Sequence, residues 1–136
     1  MKTIYEHVQS IPIQKIFVII KPGFLQHSQS IIERFKEVGW RVEKTRVKRL
    51  LLSEAELLYK VHKEENFYKP LCEYMSSDIT RAIIFSKSGN QSKSTFDKVS
   101  KLKDEIRKEY GESDMRNVLH SSDSQEAMDY EMGIYF

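Results

Sequence analysis

The amino-acid sequence predicts an α/β (α+β) fold built on a four-stranded sheet. Short β-branched apolar runs alternate with segments of helical periodicity, and Pro and Gly mark the ends of several segments. The 136 residues suit a single domain, and 40% of them are hydrophobic, so a core can form without a disulfide or a metal.

The first strand is predicted at residues 15–20, after an N-terminal lead-in over residues 1–14. The run KIFVII is apolar, rich in β-branched side chains and too short for a helix, which is typical of a buried strand. Lys21-Pro22-Gly23 ends this strand, because Pro lacks the N–H that a sheet ladder requires and Gly favours a turn.

A helix and a second strand are predicted next. Ser28 or Ser30 is expected to cap a helix that runs to about Val38, since the apolar side chains of this segment recur on one helical face. Residues 40–48 alternate between apolar and charged side chains, which predicts a half-exposed strand with a bulge near Thr45.

The middle of the chain predicts two further helices and a third strand. Ser53-Glu54-Ala55-Glu56 matches a capping box and is expected to begin one helix. Pro70 lies near the start of the next helix, where a missing N–H is tolerated. Residues 79–85 (ITRAIIF) predict the third strand.

The last part of the chain predicts a helix over residues 93–108, a short strand over residues 116–120 and a final helix. Asp123, with Glu126 three residues later, is expected to cap that final helix. The order of all these elements predicts a ferredoxin-like βαββαβ sandwich, with a four-stranded antiparallel sheet and helices on one face.

The composition excludes several classes of protein. The 22 Lys and Arg residues and 20 Asp and Glu residues give a net charge of +2, which is too balanced for nucleic-acid binding by bulk charge. No apolar run approaches the ~20 residues of a membrane span. The single cysteine, Cys72, can form no internal disulfide, so a reducing, cytoplasmic location is expected.

The stretch RNVLHSSDS over residues 116–124 carries the strongest functional signal. His120 ends a predicted strand, and the polar turn after it begins a helix whose N-terminal N–H groups and dipole favour a phosphate. Glu131 lies on that helix and could orient the imidazole. The alternative is that His120 is a surface residue and Ser121-Ser122-Asp123 only caps the helix.

The stretch NVLHSSDS over residues 117–124 resembles the active-site signature of nucleoside diphosphate kinases, N-x-[IVL]-H-[GA]-S-D-S. Residues 17–22 (FVIIKP), residues 31–42 and Glu105-Ile106-Arg107 resemble other stretches of that family, in the same order. The resemblance extends from about Ile16 to the end of the chain. Residues 15–136 are therefore expected to form a single nucleoside-diphosphate-kinase-like domain.

The resemblance implies a nucleoside diphosphate kinase. His120 would take the γ-phosphate of ATP or another nucleoside triphosphate and pass it to a nucleoside diphosphate, in a ping-pong reaction through a phosphohistidine. Ser122 and Glu131 would set the ring of His120, and Mg²⁺ would bind through the nucleotide phosphates, without a direct protein ligand. The residues expected to bind the nucleotide are Lys21, Tyr59, Phe67, Leu71, Arg107 and Asn117.

Each of these residues takes its role from the family position that it matches. Lys21 and Arg107 would supply positive charge to the phosphates, and Lys21 and Asn117 would also reach the ribose. Phe67 would stack on the base, so that any base is accepted. From the residues alone, Lys21 could also be a solvated surface charge, and Tyr59 could simply belong to the core.

The sequence departs from the family pattern at several positions. Glu65 stands where the family has an Arg, Gly23 replaces the usual acid after Lys-Pro, and Ser121 replaces Gly or Ala. In the family an Arg and a Thr lie between the third strand and the I-R element, whereas here the region 86–104 is about five residues shorter and has no Arg. The candidates for replacing the lost charge are Lys93, Lys98 and Lys101.

Two functions remain open at this point. One is an active nucleoside diphosphate kinase, and the alternative is a catalytically weak kinase-like domain that senses nucleotide or binds a protein partner. The resemblance also implies a homo-oligomer, either a dimer or a hexamer. Nucleic acid is not an expected partner, because the predicted strands lack the aromatic clusters of RNA-binding sheets.

Overall fold

The computed structural model describes residues 11–136. The first strand begins at Ile13, two residues before its predicted start, so the end of the predicted lead-in (residues 1–14) belongs to the sheet. Residues 1–10 of that lead-in lie outside the described residues. None of the helices in the described range is both long and apolar enough to cross a membrane.

The elements follow one another in the predicted order. The strands are β1 (Ile13–Ile20), β2 (Arg41–Lys48), β3 (Thr80–Ser88) and β4 (Leu119–Ser121). The helices are α1 (Ser28–Glu37), α2 (Leu52–Leu58), α3 (Tyr68–Met75), α4 (Lys93–Tyr110) and α5 (Gln125–Tyr135). Single 3₁₀ turns at Leu25–His27 and Lys60–His62 precede α1 and follow α2.

The four strands form one antiparallel sheet in the order β2-β3-β1-β4, which confirms the predicted ferredoxin-like fold. The register places Ile19 of β1 opposite His120 of β4, so the end of β1 lies beside the predicted active site. The irregularity in β2 lies between Val42 and Lys44 rather than at Thr45. Thr45 pairs in register with Ile83, and its hydroxyl donates to the Ala82 carbonyl at 3.0 Å.

Helices cover both faces of the sheet. Alternate residues of β1 point to opposite sides: Ile16 and Val18 pack with α1 and α4, whereas Phe17 and Ile19 pack with α2, α3 and α5. The prediction of helices on one face therefore holds for α1 and α4 but not for the other three helices. A strand whose consecutive residues are all apolar requires cover on both sides.

Two predicted helix caps are replaced by neighbouring residues. Helix α2 begins at Leu52, before the predicted capping residue Ser53, and the side chain of Glu54 accepts from the Leu51 N–H at 2.9 Å. Helix α5 is capped by Ser124 rather than Asp123, since its hydroxyl oxygen accepts from the backbone N–H of the third residue that follows, at 3.1 Å.

The connection between α4 and β4 is longer than predicted. Helix α4 continues to Tyr110 and strand β4 begins only at Leu119, so residues 111–118 form a loop, here called the α4–β4 loop. The predicted strand over residues 116–120 fails at its start because the Arg116 carbonyl folds back to accept from the backbone N–H of Glu112 at 2.8 Å. This loop passes beside the end of β1.

Candidate active site

His120 is held from behind by two side chains that the sequence predicted for this role. Its Nε2 is hydrogen-bonded to Oε1 of Glu131, and the Ser122 hydroxyl donates to the same oxygen at 3.3 Å. Glu131 and Ser122 are buried, whereas His120 is partly exposed. Helix α5 follows β4 after a short turn, so Glu131 lies next to the strand although it is 11 positions after His120 in the sequence.

The hydrogen bond to Glu131 distinguishes the two ring nitrogens of His120. A neutral imidazole that donates from Nε2 carries its lone pair on Nδ1. Within residues 11–136, Nδ1 has no hydrogen-bond partner. The arrangement therefore presents an oriented ring whose second nitrogen can act as a nucleophile.

Lys21 lies at the end of β1 and is only 4% exposed. Its ammonium group donates to Oδ1 of Asn117 at 2.7 Å and to the carbonyl of Met115 at 3.3 Å. Burial, together with the positive charges of Arg107 and Lys103, lowers the pKa of Lys21 to about 7. The interpretation of Lys21 as a solvated surface charge is therefore wrong.

Arg107 reaches the same loop from α4. Its Nε donates to the carbonyl of Asn117 at 3.2 Å and its Nη2 donates to the carbonyl of Leu119 at 2.9 Å. Burial is the largest cause that lowers the pKa of Arg107. Because the guanidinium has five N–H donors, it can hold these carbonyls and still donate to a ligand.

Between those two carbonyls the backbone takes an unusual conformation. Val118 is fully buried and has φ = +81°, a region that a β-branched residue rarely adopts. The N–H of Leu119 donates to the carbonyl of Asn117 at 3.1 Å across this residue, and the Val118 carbonyl accepts from the Lys21 N–H at 2.8 Å. The tight turn therefore stores strain two residues before His120.

A cavity of about 510 Å³ lies in front of His120. Its walls include Tyr59, whose ring meets the imidazole edge-on with 5.7 Å between the ring centroids. Phe67 is 44% exposed, and Leu71, a residue of α3, is buried in the core. The predicted site residues that line this cavity are Lys21, Tyr59, Phe67, Leu71, Arg107, Asn117 and His120.

A family model described as nucleoside diphosphate kinase matches residues 14–136. The chain belongs to the nucleoside diphosphate kinase family. The nucleoside diphosphate kinase of Kosmotoga olearia is 30% identical over 130 residues, which cover 90% of this chain and 88% of that protein. The one from Geobacter sulfurreducens is 32% identical over 132 residues, with coverage of 90% and 95%.

Solved structures of this family share the fold. The Aquifex aeolicus nucleoside diphosphate kinase matches with a TM-score of 0.80 and 25% identity, covering 91% of this chain and 95% of that one. The Encephalitozoon cuniculi enzyme matches with a TM-score of 0.79 and 23% identity over 90% of this chain and 88% of that one, which shows the fold alone. Family membership makes this protein a nucleotide-binding phosphotransferase.

The sequence missed some residues of this nucleoside diphosphate kinase site. His62 also lines the cavity, with its ring centroid 5.3 Å from that of Phe67, but the 3₁₀ turn that places it could not be predicted. Asp114 and Met115 line it from the α4–β4 loop. Both residues fall between predicted elements, so no periodicity indicated their position.

A further cation of α4, Lys103, which the sequence analysis did not consider, acts on Lys21 although it does not line the cavity. Its positive charge lowers the pKa of Lys21, and its own pKa is lowered mainly by burial and next by Arg107. Lys103 precedes Arg107 by four residues, which places both on one helical face. The three predicted candidates, Lys93, Lys98 and Lys101, are exposed.

Glu65, which stands where the family has an Arg, does not line the cavity. It is exposed in the turn after α2, where its N–H donates to the His62 carbonyl at 2.8 Å. The carboxylate that does line the cavity is Asp114. A carboxylate in the position of the family's Arg would repel a bound phosphate, but Glu65 can do so only weakly, because exposed charges are screened by water and salt.

Proposed function

We propose that this protein transfers the γ-phosphate of a nucleoside triphosphate to a nucleoside diphosphate through a phosphohistidine at His120. The observation that carries the proposal is the pairing of His120 with the buried Glu131, at a cavity that is also lined by Lys21 and Arg107. The hydrogen bond to Glu131 orients His120 so that Nδ1 can act as the nucleophile, and the two cations favour a polyphosphate as the substrate.

In the first half-reaction, the Nδ1 lone pair of His120 attacks the γ-phosphorus. A P–N bond forms, the P–O bond to the β-phosphate breaks, and the nucleoside diphosphate leaves with that electron pair. The ring becomes more positive, and the Glu131 carboxylate at Nε2 stabilises this charge. A second nucleoside diphosphate then attacks the phosphohistidine by the reverse route.

Positive charge and position are what a loose phosphoryl-transfer transition state requires from the protein. Lys21 and Arg107 supply the charge, and Asn117 is held by both of them at the same wall. An approaching phosphate raises the pKa of Lys21, because an opposite charge favours the protonated amine. Phe67 offers an exposed ring on which any base can stack, which supports broad base specificity.

Magnesium fits this site only through the substrate. Hard cations prefer oxygen ligands, and the sole carboxylate on the described walls of the cavity in front of His120 is Asp114. Among residues 11–136 there is no group of three or more His, Cys, Asp or Glu side chains that could hold a metal. We propose that Mg²⁺ would bind through the nucleotide phosphates and would neutralise their charge there, with Asp114 as the lining residue that would hold a magnesium-bound water.

The catalytically weak alternative is less well supported. It was motivated by Glu65 and by the lost phosphate-binding positions. Glu65 does not line the cavity, whereas Lys21 and Arg107 do, and the charge of Lys103 acts on Lys21 from outside the lining. A nucleophile, its carboxylate partner and two cations at one cavity favour retained turnover.

The test is labelling of the purified protein with γ-labelled ATP and magnesium. We expect an acid-labile label on the wild type that a nucleoside diphosphate removes, and none on His120→Asn. The matched control is His27→Asn, because His27 lies in a 3₁₀ turn and stacks on Tyr110 rather than lining the cavity. No label on the wild type, or equal label on His120→Asn, would contradict the proposal.

A further inference from the structure

We propose that Arg116 is a positioning residue that clamps the α4–β4 loop to the turn after β1 and thereby sets the loop's nucleotide-facing groups. Arg116 does not line the cavity itself, so it acts through its neighbours Met115 and Asn117. The expected effects on nucleotide binding rest on the proposed function, whereas the expected effect on hydrogen exchange does not.

The α4–β4 loop supplies the groups that hold Lys21. The Met115 carbonyl and Asn117 Oδ1 accept from the ammonium, and the Val118 carbonyl accepts from the Lys21 N–H. The loop has no regular secondary structure, and the segment before it is the end of a helix. Its position therefore depends on contacts that individual side chains make with the rest of the fold.

Arg116 makes these contacts with two other elements. Its guanidinium lies over the ring of Phe24, 5.7 Å from the centroid, and over the ring of Tyr74, 5.3 Å from the centroid. Phe24 is buried just after β1, and Tyr74 belongs to α3. The planar guanidinium can stack on aromatic faces in a way that a lysine ammonium cannot.

The loop also holds Arg116 in place from its own side. Nε of Arg116 donates to the carboxylate of Glu112 at 2.5 Å. The Arg116 N–H donates to the Ser113 hydroxyl at 3.0 Å, and its carbonyl accepts from the N–H groups of Glu112 and Ser113. Arg116 therefore connects the α4–β4 loop to the rings of Phe24 and Tyr74.

The same aromatic side chains fix the turn that carries Lys21. The Tyr74 hydroxyl donates to the Pro22 carbonyl, and the Phe24 N–H donates to the Lys21 carbonyl at 3.1 Å. Arg116 therefore contacts the aromatic side chains that hold the turn of Lys21, while its neighbour Asn117 binds the Lys21 ammonium. Loss of the Arg116 contacts should let the α4–β4 loop move away from that turn.

Gly23 provides the space for the guanidinium. Its φ is +90°, and a Cβ at this position would lie 2.7 Å from a terminal nitrogen of Arg116. Any side chain at position 23 would therefore strain the turn and displace Arg116. This gives a physical reason for the glycine that replaces the family's usual acid after Lys-Pro.

The first experiment compares Arg116→Gln, Arg116→Lys and Gly23→Ala with the wild type. We expect Arg116→Gln to weaken ADP binding about 10-fold, with the rate of phosphohistidine formation at saturating ATP changed less than about 3-fold. Arg116→Lys should recover part of the affinity, and Gly23→Ala should lower it although Arg116 is intact. The matched control is Arg34→Gln, which removes another surface arginine paired with Glu105.

The second experiment measures hydrogen exchange without nucleotide. In Arg116→Gln and Gly23→Ala, the amides of Lys21, Glu112 and Ser113 should exchange faster than in Arg34→Gln, because their acceptors belong to the clamped loop. If the wild type forms no phosphohistidine, the proposed function fails while this measurement still tests the clamp. Unchanged exchange at those amides, or unchanged ADP affinity in an active Arg116→Gln protein, would overturn the inference.

Discussion

The ammonium of Lys21 donates a hydrogen bond of 2.7 Å to Oδ1 of Asn117, a residue 96 positions later in the chain. This contact joins the end of the central strand to the loop before His120. Lys21 is nearly excluded from water. Its protonation therefore makes the free energy of unfolding depend on pH.

The buried lysine predicts a defined pH dependence of stability. The pKa of Lys21 is about 7 in the folded protein and near its ordinary value of 10.5 in the unfolded chain. Between these values the unfolded state binds more protons, so the free energy of unfolding should rise with pH by up to about 1.4 kcal/mol per pH unit. Below pH 7 the lysine is protonated in both states and its contribution is constant.

Urea denaturation of the wild type and Lys21→Met between pH 6 and 10 checks this prediction. The difference in unfolding free energy between the two proteins should change with pH between pH 7 and 10 and stay constant below pH 7. Lys15→Met serves as the control, because Lys15 lies on the same strand but is exposed and paired with Glu43. Parallel curves for the wild type and Lys21→Met would show that Lys21 titrates normally.

Glu131→Gln should impair the chemical step more than nucleotide binding. The amide keeps the size of the side chain but cannot stabilise a positive ring at His120 Nε2. We expect phosphohistidine formation at saturating ATP to fall about 100-fold while the Kd for ADP changes little. Single-turnover kinetics separates these quantities, and Glu126→Gln, an exposed acid on the same helix, is the control. A loss confined to ADP affinity would contradict the orienting role.

The order of the elements could be predicted because each strand is a run of β-branched and aromatic residues bounded by turn residues. Positions where the backbone leaves regular geometry could not. The β-branched side chain of Val118 predicts a strand, yet the backbone forms a tight turn at this residue. The Lys21 N–H donates to the Val118 carbonyl, and the Leu119 N–H donates to the Asn117 carbonyl. Tertiary hydrogen bonds override local propensity there, and no pattern within the segment indicates them.

The candidate site shows the same division between local and distant information. His120 and Glu131 are only 11 positions apart, on the last strand and the helix that follows it, so the local sequence could pair them. Lys103 was missed, because its importance depends on its distance from Lys21 across the fold. Glu65 was given too much weight for the same reason, since alignment with a family position does not say which way a turn faces.

Replacing Glu65 tests that last conclusion. If Glu65 lay against the phosphates, Glu65→Arg would strengthen nucleotide binding strongly. Because it is exposed and does not line the cavity, we expect the Kd for ADP to improve less than about 3-fold, which corresponds to the weak effect of a solvent-exposed charge. Calorimetry at two salt concentrations measures it, and any small gain should shrink at high salt. A gain of more than about 10-fold would place Glu65 at the phosphate site.

The strained turn at Val118 predicts an unusual response to glycine. Substitution of a buried valine by glycine normally costs about 3 kcal/mol or more, because packing is lost and the unfolded chain gains freedom. At Val118 the glycine would also relieve a positive φ that costs about 1–3 kcal/mol in a non-glycine residue. We therefore expect Val118→Gly to destabilise the protein by only about 1 kcal/mol, whereas Val18→Gly, at an equally buried position in β1, should show the full loss. Urea denaturation of both variants measures the difference, and equal losses would mean that the turn holds Val118 without strain.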